Sequence, residues 1–359
     1  MDEKISKIVE IIGNYREDDI GFLYQTNIDN NYVRRWLSQF DEDDREFLVD
    51  ELLHLLPSSY LTKQTTLEII STEFEIISRD YGYDNVNDFL DETKFLDCQH
   101  PGKSQKVFLE LINGILEEKY NRTIDSCGTT TIRNWFYTDD VLASGGTFRE
   151  EILSEIASYG IDKFINSDIR IIGSFVILHD WAVKNVKFTI DQKLKTTLGN
   201  RIKLYRVAEI ENNPLINVYN PNPKFNHIYP IESKIGNEIL NFIEEEFNDD
   251  DYEFRNEKFA FRNEDYPKEE TFFSSKDNRI RYENILLKKG FEIMQRIENI
   301  NAKSLRPLGM TNPSNKTLGS GTHFFTWRNI SNTCPIVFWW GSNNWIPLFP
   351  VKLRGNNLW

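Results

Sequence analysis

The sequence predicts an α/β fold: a parallel-sheet core, with a helical N-terminal domain before it and an aromatic-rich C-terminal extension after it. Three observations lead there. Apolar residues recur at helical spacing from residue 1 to about residue 90. From about residue 94 short apolar runs alternate with amphipathic stretches, which is the pattern of βαβ units and a buried sheet. The last stretch of the chain concentrates aromatics, Asn and Gly. The expected domains are therefore 1–90, 91–247 and 248–359.

The elements follow in order. Ile5, Ile8, Val9, Ile11 and Ile12 begin the helical habit, and Trp36, Phe40, Phe47, Leu48 and Leu52 continue it. Asp41-Glu42-Asp43-Asp44 precedes an apolar run, where negative charge favours a helix N-terminus, and reads as a solvated first turn. Pro57-Ser58-Ser59 ends that helix. Strands are expected at Lys94–Gln99, Ile132–Thr138, Ile169–His179 and Lys203–Glu209. Helices are expected between them at Lys103–Glu118, Thr147–Ser158 and Ala182–Lys193, then at Ile231–Phe247 and Arg281–Glu298. Residues 248 to about 276 are acid-rich without periodicity and read as an insertion or long loop. Cys334–Trp340 reads as an edge strand.

Composition narrows the function. Lys and Arg total 42 against 56 Asp and Glu, a formal charge of −14. Phosphate-backbone binding needs excess cation, so a general nucleic-acid coat is excluded while a local basic patch is not. The longest apolar runs, Ile171–Leu178 and Pro335–Trp340, fall far short of the roughly 20 residues that span a bilayer. The N-terminus lacks a charged segment followed by an apolar one, so no secretory leader is expected. Cys98, Cys127 and Cys334 are odd in number and widely spaced, which fits a reducing cytoplasm better than a disulfide framework or zinc set.

Chemistry concentrates in one segment, Trp135-Phe136-Tyr137-Thr138-Asp139-Asp140-Val141-Leu142-Ala143-Ser144-Gly145-Gly146-Thr147-Phe148. An apolar strand ends in two acids, and a small-residue loop then opens a helix. That places a carboxylate pair where open α/β sheets bind ligands, at the carboxyl end of a strand. Gly145 and Gly146 permit close backbone approach, and loop amides with the following helix N-terminus suit a phosphate. Ser144 and Thr147 can add hydroxyl donors, and Ala143 completes the loop. Two carboxylates beside a phosphate repel it unless hydroxyls lie between. A ribose with its diol toward the acids and its 5′-phosphate in the loop resolves that conflict.

A second candidate loop, Gln99-His100-Pro101-Gly102-Lys103-Ser104-Gln105, also joins a strand to a helix. Its Gly-Lys-Ser invites a Walker reading, but Asp97 stands where that motif needs its first Gly. Lys103 as an ordinary first-turn lysine is the bland alternative.

The first segment resembles the phosphoribosyl-pyrophosphate motif of type I phosphoribosyltransferases, in which two acids and a T/S-G-G-T loop hold the ribose 5-phosphate. In that family a pyrophosphate loop follows the first strand of the sheet, and Gly102, Lys103 and Ser104 occupy the comparable place. The resemblance implies a phosphoribosyltransferase-like core in which Asp139 and Asp140 orient the ribose. It implies that Ala143, Ser144, Gly145, Gly146 and Thr147 anchor the phosphate, and that Lys103 neutralises the leaving pyrophosphate. It also implies Mg2+, held mainly by the substrate's diphosphate and hydroxyls, with no dedicated protein ligand set.

A wider resemblance rests on Trp36-Leu37-Ser38-Gln39-Phe40, the two loops, and Asn332-Thr333-Cys334-Pro335-Ile336-Val337-Phe338-Trp339-Trp340. Together these are similar to the PRTase-CE type of bacterial conflict and antiviral operons, and that likeness alone implies a defence setting. Cys334 and the residues before Asn332 depart from the type.

Other departures bear on catalysis. The motif strand is aromatic where salvage enzymes use Val and Ile, and such bulk reads as packing. Ala143 stands where purine-salvage members carry a further acid, which argues against hypoxanthine or guanine salvage. No flexible catalytic loop is evident between Glu118 and Thr131, although Lys119 and Arg122 lie there. Among the histidines, His54 reads as a partly buried structural residue. His179-Asp180 is either a capping pair or a ligand contact, with the cap favoured, and His100 could touch a diphosphate. No spacing supports a zinc site. Two rivals to transfer stand: a catalytically inactive nucleotide sensor, or a partner-docking N-terminal domain. Arg34-Arg35 would suit nucleic acid there, but Asp41 to Asp50 opposes it and favours a protein partner.

Overall fold

A computed structural model describes residues 1–17, 27–213, 220, 222–247, 260–297, 304–311 and 317–351. The described helices are α1 (Asp2–Ile12), α2 (Asn30–Leu37), α3 (Glu42–Ser59), α4 (Lys63–Asp80), α5 (Val86–Asp91), α6 (Ser104–Tyr120), α7 (Gly146–Tyr159), α8 (Ile161–Ile165), α9 (Asp180–Leu194), α10 (Asn237–Phe247) and α11 (Lys276–Met294). The described strands are β1 (Tyr60–Leu61), β2 (Thr93–Phe95), β3 (Asn134–Leu142), β4 (Arg170–His179), β5 (Ile202–Ile210) and β6 (Phe325–Thr326). The chain divides into two compact units, residues 1–63 with 210–359, and residues 64–209. The boundaries read from sequence run in chain order, whereas the first unit joins both ends of the chain. Residues 64–90, read with the N-terminal helices, lie with the sheet.

In the first unit, α1 buries Ile5, Ile8 and Ile12, a stripe at helical spacing. Helix α3 opens on Glu42, Asp43 and Asp44 and takes Pro57 into its last turn. The acidic run is more than a solvated turn. Asp41 pairs with Lys288 at 2.7 Å and Lys289 at 3.0 Å, and Asp44 with Arg281 at 2.9 Å, so α3 and α11 are tied by charge. Hydrogen bonds from the two lysines hold the Asp41 carboxyl down at about 2.

The expected edge strand at Cys334–Trp340 does not form. Ile336–Phe338 is a 3-10 turn, and the tail's strand is instead β6, paired parallel with β1 through Tyr60 to Phe325 and Leu61 to Thr326. Cys334 through Trp340 are all buried, but the segment turns on itself: the Phe338 amide donates to the Pro335 carbonyl at 3.0 Å and the Trp340 amide to the Ile336 carbonyl at 2.8 Å, so these groups are not offered to a neighbouring strand. Trp36 stacks on Phe338 at 5.8 Å and donates its indole N–H to the Val337 carbonyl at 3.1 Å. The aromatic tail is core for the N-terminal helices, each fully buried ring contributing about 2 kcal/mol of transfer free energy.

The second unit carries a four-stranded sheet in the order β2-β3-β4-β5. β2 pairs parallel with β3 (Phe95 to Phe136), and β3 pairs parallel with β4 (Asp139 to Phe175). One face of the sheet packs Trp135, Tyr137, Ile171 and Phe175 against Ile152 and Ile156 of α7, Phe164 of α8, and Val186 and Ile190 of α9. From α4, Phe74 meets Phe136 at 5.5 Å and Phe95 at 6.3 Å. Strand alternation separates these sets, because Trp135 and Tyr137 point one way and Phe136 the other. Most elements begin within a few residues of expectation. β2 is shorter than expected, and β3 runs on through both acids to Leu142, so Asp139 and Asp140 still hold strand geometry. Helix α10 is shorter than expected, with a 3-10 turn at Glu232–Lys234 before it. The residues expected as an acidic insertion lie outside the described residues from 248 to 259.

Candidate functional site

β2 and β3 are neighbours, so the loops that leave their carboxyl ends emerge side by side. The second loop is short. Gly145 has φ +74°, and a Cβ there would meet Val186 Cγ2 at 2.1 Å, so the turn requires glycine both in dihedral and in space. Asn185 on α9 donates to the Ser144 carbonyl at 3.3 Å, fixing the loop from the neighbouring helix. The amide of Gly146 donates to Ser144 Oγ at 3.3 Å. Ser144 and Thr147 are exposed, Gly145 is buried, and Ala143 and Gly146 are half-buried. The loop thus presents two hydroxyl-bearing residues to solvent at the first turn of α7, where an anion is favoured.

The first loop closes on Gly102, whose φ of +87° sits in open space. Lys103 is exposed at the N-cap of α6, and Ser104 is half-buried behind it. The fully buried Gln105 shapes the loop. Its Oε1 accepts the amides of Cys98 at 2.8 Å and Gln99 at 2.9 Å. Lys106 forms an ion pair with Asp97.

The acids differ sharply. Asp139 is only 8% exposed and lies on the same side of β3 as Tyr137. Its Oδ1 accepts the Asp140 amide at 2.9 Å, and its Oδ2 accepts the side-chain amide of Gln99 at 3.0 Å. The Ser104 hydroxyl lies close enough to favour its charged form. Burial, then the adjacent Asp140 charge, push the Asp139 carboxyl up to about 7, against those hydrogen bonds. Asp140 is half-buried. Gln99 of the first loop therefore hydrogen-bonds Asp139 of the second, with Ser104 close by, while Lys103 stands exposed.

Sequence reasoning missed three members of this cluster. Tyr137 reads as packing bulk, yet its hydroxyl lies 2.7 Å from Glu151 Oε2 and 3.0 Å from Gln99 Nε2. Glu151, on the second turn of α7, carries no spacing signal that marks it. Gln99 lies inside the first loop, where its residue type and spacing assign it no role. Of the histidines, His54 proves exposed, not partly buried, and His100 is exposed. His179 is fully buried at the end of β4, where desolvation lowers it to about 4, and its side chain makes no cap bond to α9.

The donors here are hard oxygens, the kind that suit Mg2+ shared with a diphosphate. Among the described residues, no group of three or more His, Cys, Asp and Glu is placed to hold a metal ion by itself. No described helix is long and apolar enough to cross a membrane.

Comparison with curated proteins and with solved structures returns no match. A family model does match, and it spans both loops, the sheet and the aromatic tail. It covers residues 33–351, and the chain belongs to the PRTase-CE family, a phosphoribosyltransferase-like protein.

Proposed function

We propose that the paired loops bind phosphoribosyl pyrophosphate, or a nucleotide sharing its ribose 5-phosphate, and that the protein transfers the phosphoribosyl group to an acceptor. One observation carries this reading: Gln99 of the first loop hydrogen-bonds the first acid of the second loop at 3.0 Å, so both ends of one ligand could be held together. Asp139 and Asp140 would orient the ribose hydroxyls, and Ala143 to Thr147 would anchor the phosphate. Gly102 and Ser104 would shape the diphosphate site. Lys103, exposed at the rim, would approach the diphosphate and stabilise its charge as it leaves. Anchoring at both ends restricts the anomeric carbon to a productive geometry. The bond from that carbon to the diphosphate oxygen breaks, the electron pair leaves with pyrophosphate, and the acceptor's lone pair forms the new bond. Mg2+, when bound with the substrate, would offset the negative charge of the diphosphate.

Incubation of the full chain with phosphoribosyl pyrophosphate and Mg2+ should release pyrophosphate once the acceptor is supplied. Asp139→Asn with Asp140→Asn should reduce that release at least about 100-fold, the loss expected when positioning charges are removed. Tight binding without turnover across nucleobase and nucleic-acid acceptors would instead establish the sensing alternative. Loss of a co-purifying partner on Arg35→Glu, an exposed position of α2, with ligand binding intact, would support docking through the N-terminal helices. A defence setting comes from the family likeness, and phage challenge of cells with and without the Asp139, Asp140 variant tests it.

A further inference from the structure

We propose that Gln99 is a positioning residue that ties the first loop to β3, one hydrogen of its side-chain amide going to Asp139 and the other to Tyr137. The inference rests on the phosphoribosyl reading for what the tie accomplishes, but not for its existence. Gln99 Nε2 lies 3.0 Å from Asp139 Oδ2 and 3.0 Å from Tyr137 Oη, with Glu151 Oε2 farther off at 3.4 Å. Tyr137 Oη is 2.7 Å from Glu151 Oε2. An ionised carboxylate only accepts, so above about pH 7, where Asp139 is ionised, one proton arrangement fits these contacts. Gln99 donates one hydrogen to Asp139 and the other to the tyrosine oxygen, and the phenol passes its own proton to Glu151.

The same residue is held from behind. Its backbone amide and that of Cys98 both donate to the buried Gln105 Oε1, so the side chain leaves a backbone whose direction is already set. Ser104 of the same loop also lies near Asp139 and favours its charged form. Two side chains on β3, one of them held in turn by Glu151 of α7, thus fix one amide, and that amide sets the distance between the loop that carries Lys103 and the acid pair. Leucine at this position would keep the bulk and lose both donors. The acid it leaves behind would face Asp140, Tyr137 and Glu151 with one compensating bond fewer, and it would hold its proton to higher pH.

The test uses the full chain as Gln99→Leu, with Gln99→Glu as a second variant of equal size in case the first does not fold. Amide hydrogen exchange without ligand reads the tie directly, and exchange across residues 97–105 should rise at least about tenfold. Calorimetric titration with phosphoribosyl pyrophosphate and Mg2+ across pH 5 to 9 reads the positioning. Affinity should fall about tenfold, and the pH below which binding weakens should move upward, whereas a merely structural loss would scale affinity without moving that limb. Unchanged exchange would overturn the tie. Raised exchange with unaltered affinity would overturn the positioning role. If the wild-type chain does not bind phosphoribosyl pyrophosphate at all, the phosphoribosyl reading fails, and exchange alone decides the tie.

Discussion

Glu73 is the residue whose environment most clearly conflicts with its charge, apart from the acids of the site. It projects from α4 to Ser174 on β4, whose hydroxyl donates to Glu73 Oε2 at 2.5 Å, and desolvation pushes the carboxyl up to about 7. The unfolded chain binds that proton only below its ordinary value of 4.5. The folded form therefore holds more protons between those values, and this group's contribution to stability is fully present below about pH 4.5 and is lost as pH rises through 7. Asp139 acts with the same sign. Glu73→Gln removes one of the two contributions, so its stability relative to wild type should be about 2 kcal/mol more favourable at pH 8 than at pH 5. Chemical denaturation at the two pH values measures this, and an equal difference at both would refute it. Neither Glu73 nor Glu151 was legible in the sequence, because each is one acid among many on an amphipathic helix. What made Asp139 and Asp140 legible was context: a strand before them and glycines after.

At the scale of elements, periodicity located most helices and strands, and local capping explains where several begin. Ser275 is the N-cap of α11, and its Oγ accepts the Asn278 amide at 3.1 Å. Helix α11 buries Tyr282, Leu286 and Met294 in the first unit, and it carries Lys288 and Lys289 to Asp41. Ser275→Ala should lower unfolding stability by about 1 kcal/mol, the usual cost of losing a cap. Ser275→Asp should retain it, and thermal melts of both variants check the pair. The sequence placed this helix five residues late, since the capping serine lies before the apolar period begins. The tail shows the opposite limit. Pro335 to Trp340 has the composition of a strand, yet its amides bond back to Pro335 and Ile336 in a 3-10 turn whose Phe338 ring packs on Trp36 and Phe325. Periodicity cannot distinguish a run buried on one face from one buried on all.

Across the whole molecule, the −14 charge has to be reconciled with a polyanionic ligand. Part of the acidity is already spent in the first unit, where Asp41 and Asp44 pair with Lys288, Lys289 and Arg281. Near the loops the balance is still not basic. Lys106 pairs with Asp97, Lys103 stands exposed, and Asp139, Asp140, Glu150 and Glu151 lie on or just beyond β3. A phosphorylated sugar therefore approaches against both the overall field and most of the local one, and backbone amides and hydroxyls act only at contact. Screening should then help association. Raising salt from about 20 to about 200 mM shortens the Debye length from roughly 20 Å to below 10 Å, which removes most of the long-range repulsion. At fixed free Mg2+, the association rate for phosphoribosyl pyrophosphate should rise about twofold over that range, as measured by stopped-flow. A protein that gathers phosphate with a cationic surface would show the reverse. A fall in rate would mean that Lys103 and its neighbours dominate the field at the mouth, and Lys103→Ala would then abolish the salt dependence instead of leaving it unchanged.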